Sequence, residues 1–156
     1  MDIRVKGYLL RAEKELVLAK ANFEISNDKD LKRKVGIPKG MTFYNNVIAG
    51  CYYSIFYAAK AYLISKDRYT RAPEEHKKTY EAFRSMVVAG ILSEELKSIY
   101  DEESVKADEL LGIFFYEKRN RGRFTYSLNS EANMPFAEQS LYNARIFLSA
   151  IKEILS

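Results

Sequence analysis

Apolar residues recur along this chain at alternating steps of four and three, the spacing that puts side chains on one face of an α-helix. Val5, Leu9, Ala12, Leu16, Ala19 and Phe23 form the first such stripe, predicting a helix over residues 3–25. Arg11, Glu13, Glu15 and Lys20 fall off it, as solvated positions should. A polar stretch with Gly36, Pro38 and Gly40 then predicts a connector to about residue 41. The segment 42–65 carries two adjacent stripes: Tyr44, Ile48, Cys51, Ile55, Ala58 and Tyr62, and beside them Tyr52, Phe56, Ala59 and Leu63. A helix apolar around most of its circumference is buried on several sides. It belongs at the centre of a bundle or at the centre of a dimer.

Residues 66–75 read as a loop, and a third helix begins near His76 and ends near 89–90, with Gly90 suited to the position after a helix C-terminus. Ser93, Glu94 and Glu95 can cap a short helix to about residue 100. A fourth helix is expected over 104–119, with Leu110, Leu111, Phe114 and Phe115 on its apolar face, followed by a loop over 127–132. The last helix begins near Pro135, and Ala137, Leu141, Ala144, Leu148, Ile151 and Leu155 repeat the stripe of the first. No alternating apolar and polar strand pattern and no internal repeat interrupts this. The expected fold is all-α, an antiparallel four- to five-helix bundle over residues 1–156 as one domain.

Composition sharpens that picture only slightly. A chain of 156 residues with 7 Gly and 3 Pro suits long helices in a single domain. The one cysteine, Cys51, rules out an internal disulfide and fits a reducing, cytoplasmic setting. No signal peptide is expected, and no uninterrupted apolar run reaches the roughly 20 residues of a membrane span. The net charge of +4 mildly favours a polyanionic partner.

Most catalytic templates are excluded. There is no Gly-rich phosphate loop, and one His with one Cys cannot build a zinc site of the usual kind. No metal or other cofactor is expected. His76, beside Lys77 and Lys78 at a helix start, reads as solvated. The unusual segment is Lys118, Arg119, Asn120, Arg121, Gly122, Arg123, Phe124, Thr125 and Tyr126. Guanidinium groups grip phosphate with paired hydrogen bonds, and Phe124 and Tyr126 can stack on a base. In a continuous helix Arg119, Arg123 and Tyr126 share a face; with Gly122 as a breaker they line a turn instead. The same cations also complement a helix C-terminus opposite the acidic residues Asp101, Glu102, Glu103, Asp108 and Glu109, which needs no ligand.

Two stretches resemble one known family. Cys51-Tyr52-Tyr53-Ser54-Ile55-Phe56-Tyr57-Ala58-Ala59-Lys60-Ala61 resembles the Tyr-Tyr-x-x-Phe-His-Ala-Ala-Lys helix of HEPN-domain proteins. Arg119-Asn120-Arg121-Gly122-Arg123-Phe124-Thr125-Tyr126 resembles that family's Arg-Asn-x-x-x-His-x-Tyr segment, in the matching order. The likeness runs from about residue 43 to the C-terminus and is strongest to the stand-alone archaeal and bacterial group. It implies a homodimer with the arginine motif near a cleft between subunits. It implies RNA, nucleotide or another phosphate ligand held by Arg119, Asn120, Arg121, Arg123 and Tyr126, and a place in a toxin–antitoxin pair. Active members are metal-independent RNases in which a His moves protons and an Arg stabilises charge on phosphorus; Arg119 and Tyr126 would be the catalytic groups here. The family's motif His is replaced by Phe124, and its His in the tyrosine-rich helix by Tyr57. Binding without efficient cleavage is therefore the leading expectation. The alternatives are a weak RNase using Tyr126 or His76, and a non-catalytic partner of a minimal nucleotidyltransferase.

Overall fold

In a computed structural model, the chain is described over residues 1–99, 107–126 and 134–156, with the side chains of 98, 99 and 124–126 outside the description. The described residues form seven helices: α1 Ile3–Asn27, α2 Lys29–Lys34, α3 Tyr44–Ser65, α4 Glu75–Val88, α5 Ile91–Ile99, α6 Ala107–Tyr126 and α7 Met134–Leu155. The all-α bundle is as expected. Among the described residues five long helices are joined by two short ones, the expected α5 and the unexpected α2. The acidic cluster 101–103, the expected helix start at Ser104 and the loop 127–132 lie outside the described residues.

α3 is the axis of the bundle and touches α1, α4, α6 and α7. Its neighbour α1 runs antiparallel to it. Val5, near the start of α1, packs on Ala61 and Ile64 near the end of α3, whereas Phe23 meets Tyr44 at the other end. Between them Gly50 lets the backbones close: a Cβ there would lie 3.2 Å from the Ala19 Cβ and 3.4 Å from the Glu15 carbonyl oxygen. Ser54 fixes the pairing by donating to the Ala12 carbonyl at 2.8 Å. α6 and α7 are also antiparallel. Phe114 packs on Phe147, while Glu117 reaches Ser140 and Asn143 one turn on. One core cluster joins Tyr52, Tyr62, Phe83, Leu92, Phe114 and Phe147 from five helices.

Several expectations are corrected. The connector after α1 contains α2, whose six residues carry no apolar stripe; Asp28 caps it by accepting from the Asp30 and Leu31 amides at 3.0 Å. α5 starts at Ile91, two residues before the expected Ser93 cap, directly after Gly90 turns the chain at φ +77°. α6 continues to Tyr126 rather than ending at Arg119, passing through Gly122 without a break. α3 is long and apolar enough to cross a membrane by length and composition, although Asn46 and Lys60 interrupt its apolar run. Its apolar surface is taken up by the other helices, with 78% of its most apolar window buried.

Candidate functional site

The continuity of α6 decides how the arginine segment is displayed. Steps of four and three from Leu110 give Phe114, Glu117 and Arg121, so Arg121 follows the apolar stripe inward while Arg119 and Arg123 point outward. Arg119 and Arg123 are exposed, the first over the Tyr116 ring at 5.6 Å and the second over Phe136 of α7 at 5.9 Å. Arg121 is half-buried against α3. Its guanidinium lies 4.8 Å from the centre of the Tyr52 ring and 5.6 Å from that of Tyr53, and Nη1 donates to the Tyr53 hydroxyl at 3.3 Å. Asn120 turns into the protein and is 2% exposed, and its Nδ2 has no hydrogen-bond partner among the described residues. The structure therefore brings Arg121 together with α3, sets Arg119 and Arg123 on the outer surface, and withdraws Asn120 from solvent. The side chains of Phe124 and Tyr126 lie outside the description.

His76 is not the solvated residue its lysine neighbours suggest. The ring lies 4.1 Å from the Phe56 ring at an interplanar angle of 21°, and 5.8 Å from Tyr53 edge-on. The Tyr52 hydroxyl stands 2.8 Å from Nδ1. In the neutral tautomer with its proton on Nε2, the tyrosine donates and Nδ1 accepts. Burial holds the imidazole below its ordinary pKa, and the positive charges of Arg121, Lys118 and Lys60 push the same way against the opposing carboxylate of Glu75. Lys77 and Lys78 are exposed, because helical neighbours leave the axis about 100° apart. The sequence does hold a signal for the half-buried ring: Tyr52 and Phe56 are one turn apart in α3 and form the aromatic face that receives it.

Three further groups surround these. Lys60, nearly buried, ion-pairs with Glu75 and donates to the Thr70 carbonyl at 3.2 Å. Tyr57 stands between Tyr8 and Tyr53, and burial raises its pKa. On the far side of α6, Glu117 is fully buried and accepts from Ser140 Oγ at 2.7 Å and Asn143 Nδ2 at 2.9 Å. Desolvation raises its pKa, and those two hydrogen bonds offset part of the rise. The signal for Glu117 in the sequence is a charged residue at an apolar stripe position of α6, which the motif resemblance does not cover. Among the described residues no group of three or more His, Cys, Asp or Glu side chains is arranged to hold a metal ion.

Chemically, the α3–α4–α6 corner offers a fixed cation, a neutral imidazole and two phenols within one cluster. A guanidinium held over aromatic rings binds oxyanions, and an imidazole kept neutral can accept a proton near neutral pH. No family model matches the chain. A comparison with curated proteins likewise gives no match.

Proposed function

We propose that this chain is a HEPN-like bundle protein that binds RNA, a nucleotide or another phosphate-bearing ligand at the end of α6. The observation that carries the reading is the setting of Arg121. Its guanidinium is oriented by Tyr52 and Tyr53, and Arg119 and Arg123, two positions to either side, are exposed on the outer surface of the same stretch of helix. Arginine presents a rigid fork of donors matched to phosphate, and stacking on rings limits the freedom given up on binding. The same reading includes a toxin–antitoxin role beside a minimal nucleotidyltransferase, which rests on the motif resemblance, homodimer formation, which rests on that resemblance and on the broad apolar surface of α3, and a cytoplasmic location, which rests on the single cysteine.

The test replaces Arg119, Arg121 and Arg123 together with Gln and measures binding of single-stranded RNA and of nucleotide across a salt series. Each phosphate no longer neutralised lowers the slope of log affinity against log salt by roughly 0.7. Unchanged binding and slope in a folded triple variant removes the reading and leaves a helix end with favourable charges, compatible with a purely structural partner role.

His76 supports a second reading, a weak metal-independent RNase. It is the one side chain here able to exchange a proton near pH 7, and Arg121 lies close enough to depress its pKa. In that chemistry the imidazole, in the other neutral tautomer with Nδ1–H donating to the Tyr52 hydroxyl, accepts on Nε2 the proton of a ribose 2′-hydroxyl as the oxygen attacks phosphorus; the 5′-oxygen leaves and takes a proton from solvent or an acid. A 2′,3′-cyclic phosphate product that forms in chelator and disappears in His76→Ala supports it. No product above background in the wild-type protein refutes it.

A further inference from the structure

The aromatic cluster does not end at Arg121. Tyr53 stacks on Tyr57 at 6.3 Å and 28°, and Tyr57 stacks on Tyr8 of α1 at 6.0 Å and 29°. These three half-buried tyrosines form a row from the end of α6, over α3, to the start of α1. Cations accompany them along its length. Arg121 lies over Tyr53, and exposed Arg11 lies 5.6 Å from the Tyr8 ring centre and 5.8 Å from that of Tyr57. Past Tyr8 the row opens into a pocket of about 310 Å³ walled by Arg4, Lys60, Tyr69, Arg71 and one carboxylate, Glu75.

Two of the pocket's cations are already committed, Lys60 to Glu75 and Arg4 to Asp2. Arg11 and Arg71 are different: among the described residues neither has a carboxylate within salt-bridge distance. A tyrosine cluster that only sealed α1 against α3 would need neither. The rings stack on one another and hold Arg121 and Arg11 in place beside them, so that these cations and Arg71 form a line of positive charge, which is what the backbone of a flexible polyanion requires. One nucleotide would use one cation. The whole row is used only by a strand.

Resting on the phosphate-binding reading above, we propose that the ligand is a single-stranded polynucleotide. It would run from Arg121 across Tyr53, Tyr57 and Tyr8 and end in the pocket beside Arg71. The row makes α1 part of the binding surface, although α1 carries no family motif.

The experiment compares fluorescently labelled oligonucleotides of two lengths, a dinucleotide and a dodecamer, each as oligouridylate and as its deoxy counterpart. The wild-type protein should bind the dodecamer many-fold more tightly than the dinucleotide. The exposed-residue variant Arg11→Gln/Arg71→Gln should weaken the dodecamer several-fold, with a salt slope lower by roughly 0.7 for each phosphate it no longer neutralises. It should leave the dinucleotide unaffected. Preference for the ribose oligomer identifies RNA, and equal affinity identifies single strands of either sugar. Equal affinity for the two lengths, or a distal variant that binds the dodecamer like wild type, overturns the track. If the distal variant is inert while Arg119→Gln/Arg121→Gln/Arg123→Gln abolishes binding, the track fails and the α6 site stands. If that triple variant is inert as well, both fail.

Discussion

Glu117 gives the sharpest test of how the α6–α7 seam is held. Its carboxylate is fully buried and bonded to Ser140 and Asn143. A hydrogen bond to a charged group contributes about 1.5–3 kcal/mol, against about 0.5–1.5 kcal/mol for a neutral pair. At pH above the raised pKa of Glu117, where its carboxylate is charged, Ser140→Ala in the wild-type background should therefore cost about 1.5–3 kcal/mol, because it leaves a buried charge with one partner fewer. Glu117→Gln keeps both bonds available: the amide oxygen accepts from Asn143 and the amide nitrogen donates to the Ser140 hydroxyl. At pH above the raised pKa it also removes the cost of burying charge, so there this single change should be close to neutral or stabilising. In the Glu117→Gln background Ser140→Ala should cost about 0.5–1.5 kcal/mol, a coupling on the order of 1 kcal/mol. The pH dependence follows in sign. With its pKa raised on folding, Glu117 binds its proton more tightly in the native state. Its contribution is therefore favourable at low pH and is lost as pH rises from the ordinary carboxylate value through the raised one. The slope reaches at most about 1.4 kcal/mol per pH unit while this group alone titrates. Urea unfolding of the four proteins from pH 4 to 8 measures all of this. Equal costs for Ser140→Ala in both backgrounds, or an unchanged pH slope in Glu117→Gln, refutes the reasoning.

Other consequences are as direct. The sole histidine should give an NMR titration midpoint below the usual value near 6.5, and Arg121→Gln should move it upward. The stability His76 contributes is present above the ordinary histidine value and is lost as pH falls through the depressed one. Cys51 is buried and its thiol pKa is pushed well up by burial and by Glu117, so a maleimide should label it in the folded protein only as fast as the protein opens. Gly50→Leu should lower stability by about 1–3 kcal/mol in thermal or urea unfolding, because a side chain there meets Ala19 and the α1 backbone. Gly50→Ala should cost far less, since helix propensity returns about 0.8–1 kcal/mol against a displacement of a few tenths of an ångström.

How much of this is legible in the sequence depends on whether burial leaves a period there. α1, α3 and α7 can be read because Val5 to Phe23, Tyr44 to Leu63 and Ala137 to Leu155 keep one face apolar over many turns. α2 cannot, since a six-residue helix held by the Asp28 cap buries Lys32 rather than an apolar stripe. The end of α6 runs past its expected place because Gly122 breaks helices only weakly, and Arg121 gains contact with Tyr52 and Tyr53 by staying helical. The arginine segment itself is visible as charge density. Its division into inward Arg121 and outward Arg119 and Arg123 follows only once the helix phase is fixed. His76 is hidden for another reason: its partners are 20 to 24 positions away in α3 or reach it from α6.

The central position of α3 also shapes the birth of the protein. Its long antiparallel partner, α1, precedes it on the ribosome, but α7, which covers another flank, begins 69 residues after α3 ends. At roughly 5–20 residues per second, the chain spends several seconds with an apolar, membrane-length helix half dressed. During that interval a nascent α1–α3 hairpin offers the same surface that chaperones and bilayers take up. Truncation before residue 134 makes the interval permanent, so early termination products should accumulate as aggregates or as chaperone-bound fragments rather than as smaller folded domains.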